Sequence, residues 1–480
     1  MKKTFTYYFV ALSACLLFSI VANARGGNIV TSETFGNYFG SDGYLLESVP
    51  AGSTLDFQGT FQGDQYTLYI NKKVNIISST GDAFFDSNSN TTERKWLKFN
   101  VVAGADSTEI TGLEFLNCDL FVTGASNVTI DDIKMVSNMS GVGSGTGFLA
   151  IHTNADSAVV KNSYFENGGT GSSILVVGNG SKKAVFDNNT FKITGSSGNI
   201  MSANVFVGSG EKPSNITYTN NVIDSETGSS GFMYGITVCG EGNLIEGNTV
   251  NMKGNAITNQ YGAVATKNIY RNNVITGGGT MTVGTYCTVE GNTVNSAMTL
   301  PEGTIATGNT FNADVTVSGK NAQLTDNIIN GKLTLNSDSN TVKANTITTD
   351  AEYAVVMNAK VGNVVTDNAL IAAEKTGDAA VSYTGTDATA NVIERNGTET
   401  AVSTVAAAND YVIGNQGGTI SITNVADKAV CNLYSASGAH LASAKASQGA
   451  VYFEVPAKGV YLVEVVANNN KAVTKIVADK

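Results

Sequence analysis

Phe186-Asp187-Asn188-Asn189-Thr190-Phe191 is the first full copy of a phrase that the chain repeats. It consists of an apolar residue, two free positions, an asparagine, one free position and a second apolar residue. The phrase returns around Asn221, Asn248, Asn273, Asn292, Asn309, Asn327, Asn345 and Asn368, with a looser copy at Asn396. Successive asparagines lie 32, 27, 25, 19, 17, 18, 18, 23 and 28 residues apart. A fixed phrase at changing intervals means a constant turn separated by loops of changing length, which is how a solenoid accommodates insertions.

One asparagine per coil has a physical reason. Asn tolerates a left-handed backbone at little cost, and its amide carries both a donor and an acceptor. If coils stack ~4.8 Å apart, each amide reaches the coil above and the coil below, giving a ladder that satisfies buried turn backbone. The apolar residues three before and two after the asparagine then point inward. Earlier copies keep the apolar positions but change the turn residue: Leu113, Ile133 and Ser163 stand where asparagine later sits. Short alternating runs such as Tyr66-Thr67-Leu68-Tyr69-Ile70 and Val74-Asn75-Ile76-Ile77 read as strands of opening coils.

On these residues the chain resembles the right-handed parallel β-helix of the pectate lyase-like superfamily over residues 44–397. The expected fold is all-β: a parallel β-helix followed by a small C-terminal β-sandwich. At ~4.8 Å per coil, the solenoid measures roughly 60 to 70 Å.

Outside the repeats, residues 1–24 read as an export signal. Lys2 and Lys3 precede an apolar run over residues 9–21, and Ala22-Asn23-Ala24 supplies a small-residue cleavage site. Leu12-Ser13-Ala14-Cys15 also matches a lipoprotein box, but the apolar run continues past Cys15, so simple cleavage is the reading. Residues 25–43 form an N-terminal segment and 398–417 a linker or cap. From 418 to 480, alternating strands read as a β-sandwich. No later segment has the ~20 apolar residues of a membrane helix.

Without the signal the chain has 27 basic and 40 acidic residues, a net charge of −13. That balance supplies no basic surface for nucleic acid. Cys118, Cys239, Cys287 and Cys431 are scattered without a CxxC pair and read as small buried apolar side chains.

Residues Asn432-Leu433-Tyr434-Ser435-Ala436-Ser437-Gly438, Pro456-Ala457-Lys458-Gly459-Val460-Tyr461-Leu462-Val463 and Thr474-Lys475-Ile476-Val477 resemble the sorting domain of the type IX secretion system of Bacteroidetes. The family's opening Asn-Pro motif is missing here. The resemblance implies secretion machinery as a partner through residues 418–480, and an outer-membrane surface or extracellular location.

Enzymes on this fold act on polysaccharides. The lyases pair Asp or Glu ligands for calcium with an Arg or Lys base that removes the proton beside a metal-neutralised carboxylate. Two positions before the ladder asparagine runs an outward column of Asp187, Thr219, Glu246, Arg271, Glu290, Thr307, Thr325, Lys343, Thr366 and Glu394. Its lyase reading makes Arg271 the base and Glu246, Glu290 and Asp187 the Ca2+ ligands, with Tyr270 and Tyr261 offering sugar-stacking rings. Its other reading is a cross-coil ion-pair ladder, in which a flanked Arg stays protonated and is no base. Asp131-Asp132 lacks the partners a hydrolase needs, and His152 stands alone. The preferred reading is therefore an exported structural or glycan-binding rod. The competing class is a polysaccharide lyase or hydrolase.

Overall fold

The computed structural model describes residues 28–87, 97–138, 147–152, 154–195, 197–203, 211–225, 234–259, 265–385, 390–398, 411–416, 418–435, 439–467 and 470–478. Residues 1–24, read above as an export signal, and Tyr261 lie outside them. The chain divides into two compact units, Met1–Glu399 and Thr400–Lys480.

The first unit is a parallel β-helix with three sheet faces. Among the described residues the first face has sixteen strands, running from Asn28–Val30 through Leu244–Glu246 to Val392–Glu394. The second has fourteen, from Thr60–Gln62 through Thr249–Asn251 to Ala369–Ile371. The third has nine, from Leu68–Ile70 to Thr280–Met281, and is continued past a Thr282–Thr299 bridge by five more, Met298–Leu300 to Val381–Tyr383. Sixteen strands at ~4.8 Å per step measure about 70 Å. The first face begins at Asn28, ahead of residue 44.

Each coil passes from first to second face through a two-residue corner. Leu244–Glu246 ends the first-face strand, Gly247 and Asn248 turn, and Thr249–Asn251 starts the second. The apolar residue three before the asparagine and the one two after are buried at every full copy, as with Val289 and Val294 around Asn292. The turn itself differs from expectation. The left-handed residue is the one before the ladder asparagine: Asn188, Asn220, Gly247, Asn272, Gly291, Gly308, Asp326, Ala344, Asp367 and Arg395 all have φ between 54° and 67°. Gly, Asn and Asp dominate there because they bear that conformation cheaply. The corner begins upstream of the ladder, since Gly112, Asp132 and Asn162 are also left-handed, at φ 75°, 52° and 52°, ahead of Leu113, Ile133 and Ser163.

The ladder asparagines from Asn189 to Asn368 are buried, Asn396 is half-buried, and all are bonded to one another. Asn309 donates through its backbone N–H (3.0 Å) and Nδ2 (2.8 Å) to Asn327 Oδ1, and through Nδ2 to the Val289 carbonyl (2.8 Å). Its own Oδ1 accepts the matching pair from Asn292. The same pattern links Asn189, Asn221, Asn248, Asn273, Asn292, Asn327, Asn345, Asn368 and Asn396. Upstream, Ser163 donates its N–H to Asn189 Oδ1, and its hydroxyl oxygen accepts from the Ile133 N–H. Downstream, Asp378 Oδ1 accepts both the N–H and the Nδ2 of Asn396, as an eleventh asparagine would.

A second asparagine column, unread in the sequence, lies five residues before the first. Asn243 donates to Asn268, and Asn340 to Asn363, whose N–H continues to Asn391. Cys287 occupies the slot after Asn268 and accepts its N–H on sulfur at 3.4 Å. Cys118, Cys239, Cys287 and Cys431 are buried thiols outside any disulfide. Phenylalanines fill the opening coils, with Phe61, Phe85 and Phe115 stacked at 4.7 and 5.4 Å, and Phe35 and Phe39 closing that end.

The second unit is a β-sandwich of a three-stranded and a four-stranded antiparallel sheet around Ile420, Ile422, Leu433, Phe453 and Val463. Two strands were unread: Val412–Gln416 and His440–Lys445. The latter is half-exposed to exposed along its length and lacks the apolar alternation that marks a strand. No helix among the described residues is long and apolar enough to cross a membrane.

Candidate functional site

The first-face column stands in unbroken register: Asp131, Lys161, Asp187, Thr219, Glu246, Arg271, Glu290 and Thr307 are successive cross-strand neighbours. Period-two alternation explains it, because the residue beside each buried apolar position must face out. Its charged members are engaged by their neighbours. Lys161 Nζ lies 3.2 Å from Asp131, and Asp187 Oδ1 accepts from the Thr219 hydroxyl at 2.7 Å and from Asn220 Nδ2 at 2.9 Å.

Arg271 grips Glu246 with both ends of its fork, Nε to Oε1 at 2.8 Å and Nη2 to Oε2 at 2.9 Å. These hydrogen bonds, with the Glu246 charge and a smaller contribution from Glu290, push the guanidinium further above its already high range. A group held protonated in this way cannot accept a substrate proton. Glu290 is exposed and acts on Arg271 through its charge.

The proposed calcium ligands do not converge. Asp187 and Glu246 are two coils apart, as are Glu246 and Glu290, so each gap is about 10 Å at ~4.8 Å per coil. Two ligands of one calcium, each at ~2.4 Å, lie no more than about 5 Å from each other. Among the described residues no group of three His, Cys, Asp or Glu side chains is placed to hold a metal. These residues do not fit the ion.

Tyr270 requires a correction. It is fully buried, so its ring packs in the core and offers nothing to a sugar. The reason is its place in the phrase, three before Asn273, the inward apolar slot that Tyr218 fills before Asn221. Tyr261 lies outside the described residues. Asp131 and Asp132 face different surroundings, the first paired with Lys161 and the second in the left-handed corner at φ 52°.

Two perturbed groups lie on the third face among the described residues. Asp119, partly buried at the start of the strand Asp119–Thr123, has its carboxyl pushed up to about 7 by burial, against a counter-effect from Lys98, its cross-strand neighbour. Four residues along, Thr123 pairs with His152, whose ring meets Phe121 edge-on at 6.0 Å and is pushed down by burial. Asp119 was not singled out in the sequence, where one aspartate among apolar residues gives no signal.

No protein-family model matches the chain, and no curated protein matches it. Several solved structures do. PfbA, a surface adhesin of Streptococcus pneumoniae, is 13% identical with a TM-score of 0.35, over 77% of this chain and 92% of that one. The catalytic domain of a GH87 α-1,3-glucanase in complex with nigerose is 14% identical with a TM-score of 0.36, over 74% of this chain and 65% of that one. A double-mutant tailspike protein of E. coli bacteriophage HK620 in complex with pentasaccharide is 11% identical with a TM-score of 0.37, over 98% and 88%.

Proposed function

We propose that this chain is an exported parallel β-helix that acts as a structural or glycan-binding rod at the outer-membrane surface or outside the cell. In this reading residues 1–24 are removed on export, residues 44–397 belong with the pectate lyase-like superfamily, and residues 418–480 serve sorting by the type IX machinery. The observation that carries the non-catalytic part is Arg271. The base that a lyase would need is bound at both ends by Glu246, and the carboxylates beside it stand too far apart for one calcium.

The glycan-binding part is supported by the long outward faces, whose polar side chains repeat coil after coil. A glycan array probed with the full chain tests it: retained neutral or acidic polysaccharides are expected, and an array without hits overturns it. Polysaccharide hydrolysis is the second reading, favoured by one observation. Burial of Asp119 at the start of its third-face strand, beside Lys98, pushes its carboxyl up to about 7, the range in which a carboxyl can serve as general acid. Glycan cleavage lost in Asp119→Asn is the result that would establish it.

A further inference from the structure

The second face changes character along its length. Its early outward residues include Glu114, Lys134 and Glu166, with an ion pair between the first two. From the strand Thr249–Asn251 to the strand Thr346–Thr348 no outward residue is charged. Six coils there present two ranks, one of Thr and β-branched apolar residues from Thr249 to Thr346, the other of Asn and Thr from Asn251 to Thr348. At ~4.8 Å per coil the strip is on the order of 24 Å long.

The polar rank is ordered by its own hydrogen bonds. Thr276 donates to Asn251 at 3.2 Å, Asn312 to Asn295 at 2.7 Å, and Asn330 to Asn312 at 2.8 Å. Val274 and Ile328 stand exposed in the other rank. At its far end the strip opens into a shallow hollow of about 390 Å³ lined by Asn330, Gly331, Thr348, Thr349, Ala351 and one acidic residue, Asp350, which lies beyond the strand Thr346–Thr348.

We infer that this strip binds a neutral polysaccharide chain lying along or across the coils. The inference rests on the glycan-binding reading and names both its face and its ligand class. Charge matching selects the ligand. A chain with net charge −11 repels acidic polymers, and a strip without cations offers them nothing in return. The strip also lacks the aromatic and Arg anchors on which protein interfaces depend. What it offers is hydroxyl and amide groups, each donor and acceptor, interleaved with methyl groups. Those suit the alternating hydroxyls and C–H faces of a sugar. Because the polar rank is already ordered, less side-chain freedom is lost on binding.

The test uses the full chain, a soluble neutral glucan and polygalacturonate, with binding read by calorimetry. Asn312→Lys places a charge in mid-strip, and Thr307→Lys places one on the first face as a control; circular dichroism checks both folds. The expected result is neutral-glucan binding that weakens about tenfold or more in Asn312→Lys and is unchanged in Thr307→Lys. Glucan binding that survives Asn312→Lys overturns the strip and leaves glycan binding standing. Binding of polygalacturonate alone overturns the neutral ligand, and binding of neither overturns both readings. Inhibition of ice growth that is lost in Asn312→Lys, without glucan binding, overturns the inference in favour of an ice lattice.

Discussion

Two columns two residues apart on the same coils follow different rules. The ladder asparagines up to Asn368 are buried, and each accepts two hydrogen bonds from the coil before and donates two to the coil after, so one residue type is required at nearly every rung. The outward column carries Asp, Thr, Glu, Arg and Lys in turn, because water solvates whatever the neighbour does not. The buried uniform column is the spine, and a ligand is met on the outward faces, whether varied as on the first face or repeated as in the Asn and Thr ranks of the second.

Breaking the spine has the largest expected effect. Asn309→Ala orphans buried groups on both adjacent coils and is expected to destabilise by about 3 kcal/mol, read as a lowered urea midpoint. No change in that midpoint would mean that the ladder bonds do not hold the corner.

The next effect sharpens the contrast on the third face, where a charge-bearing group is withdrawn from water. Folded Asp119 keeps its proton to about pH 7, whereas an unfolded Asp releases it near pH 3.8. The folded state therefore binds more protons between those values, and stability falls as pH rises through that window and is level above it. Asp119→Asn is expected to gain about 1 to 2 kcal/mol above pH 7 and to lose that advantage by pH 4, followed by melting temperature across the range. An advantage independent of pH would contradict the assigned cause.

Smaller still is the end of the ladder. Asp378→Ala removes the acceptor of two Asn396 donors at an exposed site and is expected to cost up to about 1 kcal/mol, with Asp378→Asn restoring most of it, both read by chemical denaturation. Smallest is the outward pair. Glu246→Gln should lower the melting temperature slightly in dilute buffer and not at high salt, since exposed ion pairs are screened. A loss as large as that of Asn309→Ala would erase the distinction between the columns.

The fold was legible because asparagine fills ten successive rungs, each bonded to the next. The left-handed residue before them was harder to see, since Asn, Gly, Asp, Ala and Arg all occur there. The second asparagine column was hidden because Cys287, Thr304 and Ala322 interrupt it. Tyr270 misled because a tyrosine beside an arginine suggests a sugar site, although the phrase already assigns that position to the core. Asp378 lies in a 3-10 turn, Gly377–Ala380, outside the repeat, so only the folded chain brings it to Asn396.

The most direct measurement of the central claim is absorbance of unsaturated products from uronate polysaccharides incubated with the full chain and calcium, beside Arg271→Ala. The account predicts no product from either protein. Robust product from the natural chain that disappears in Arg271→Ala would contradict it.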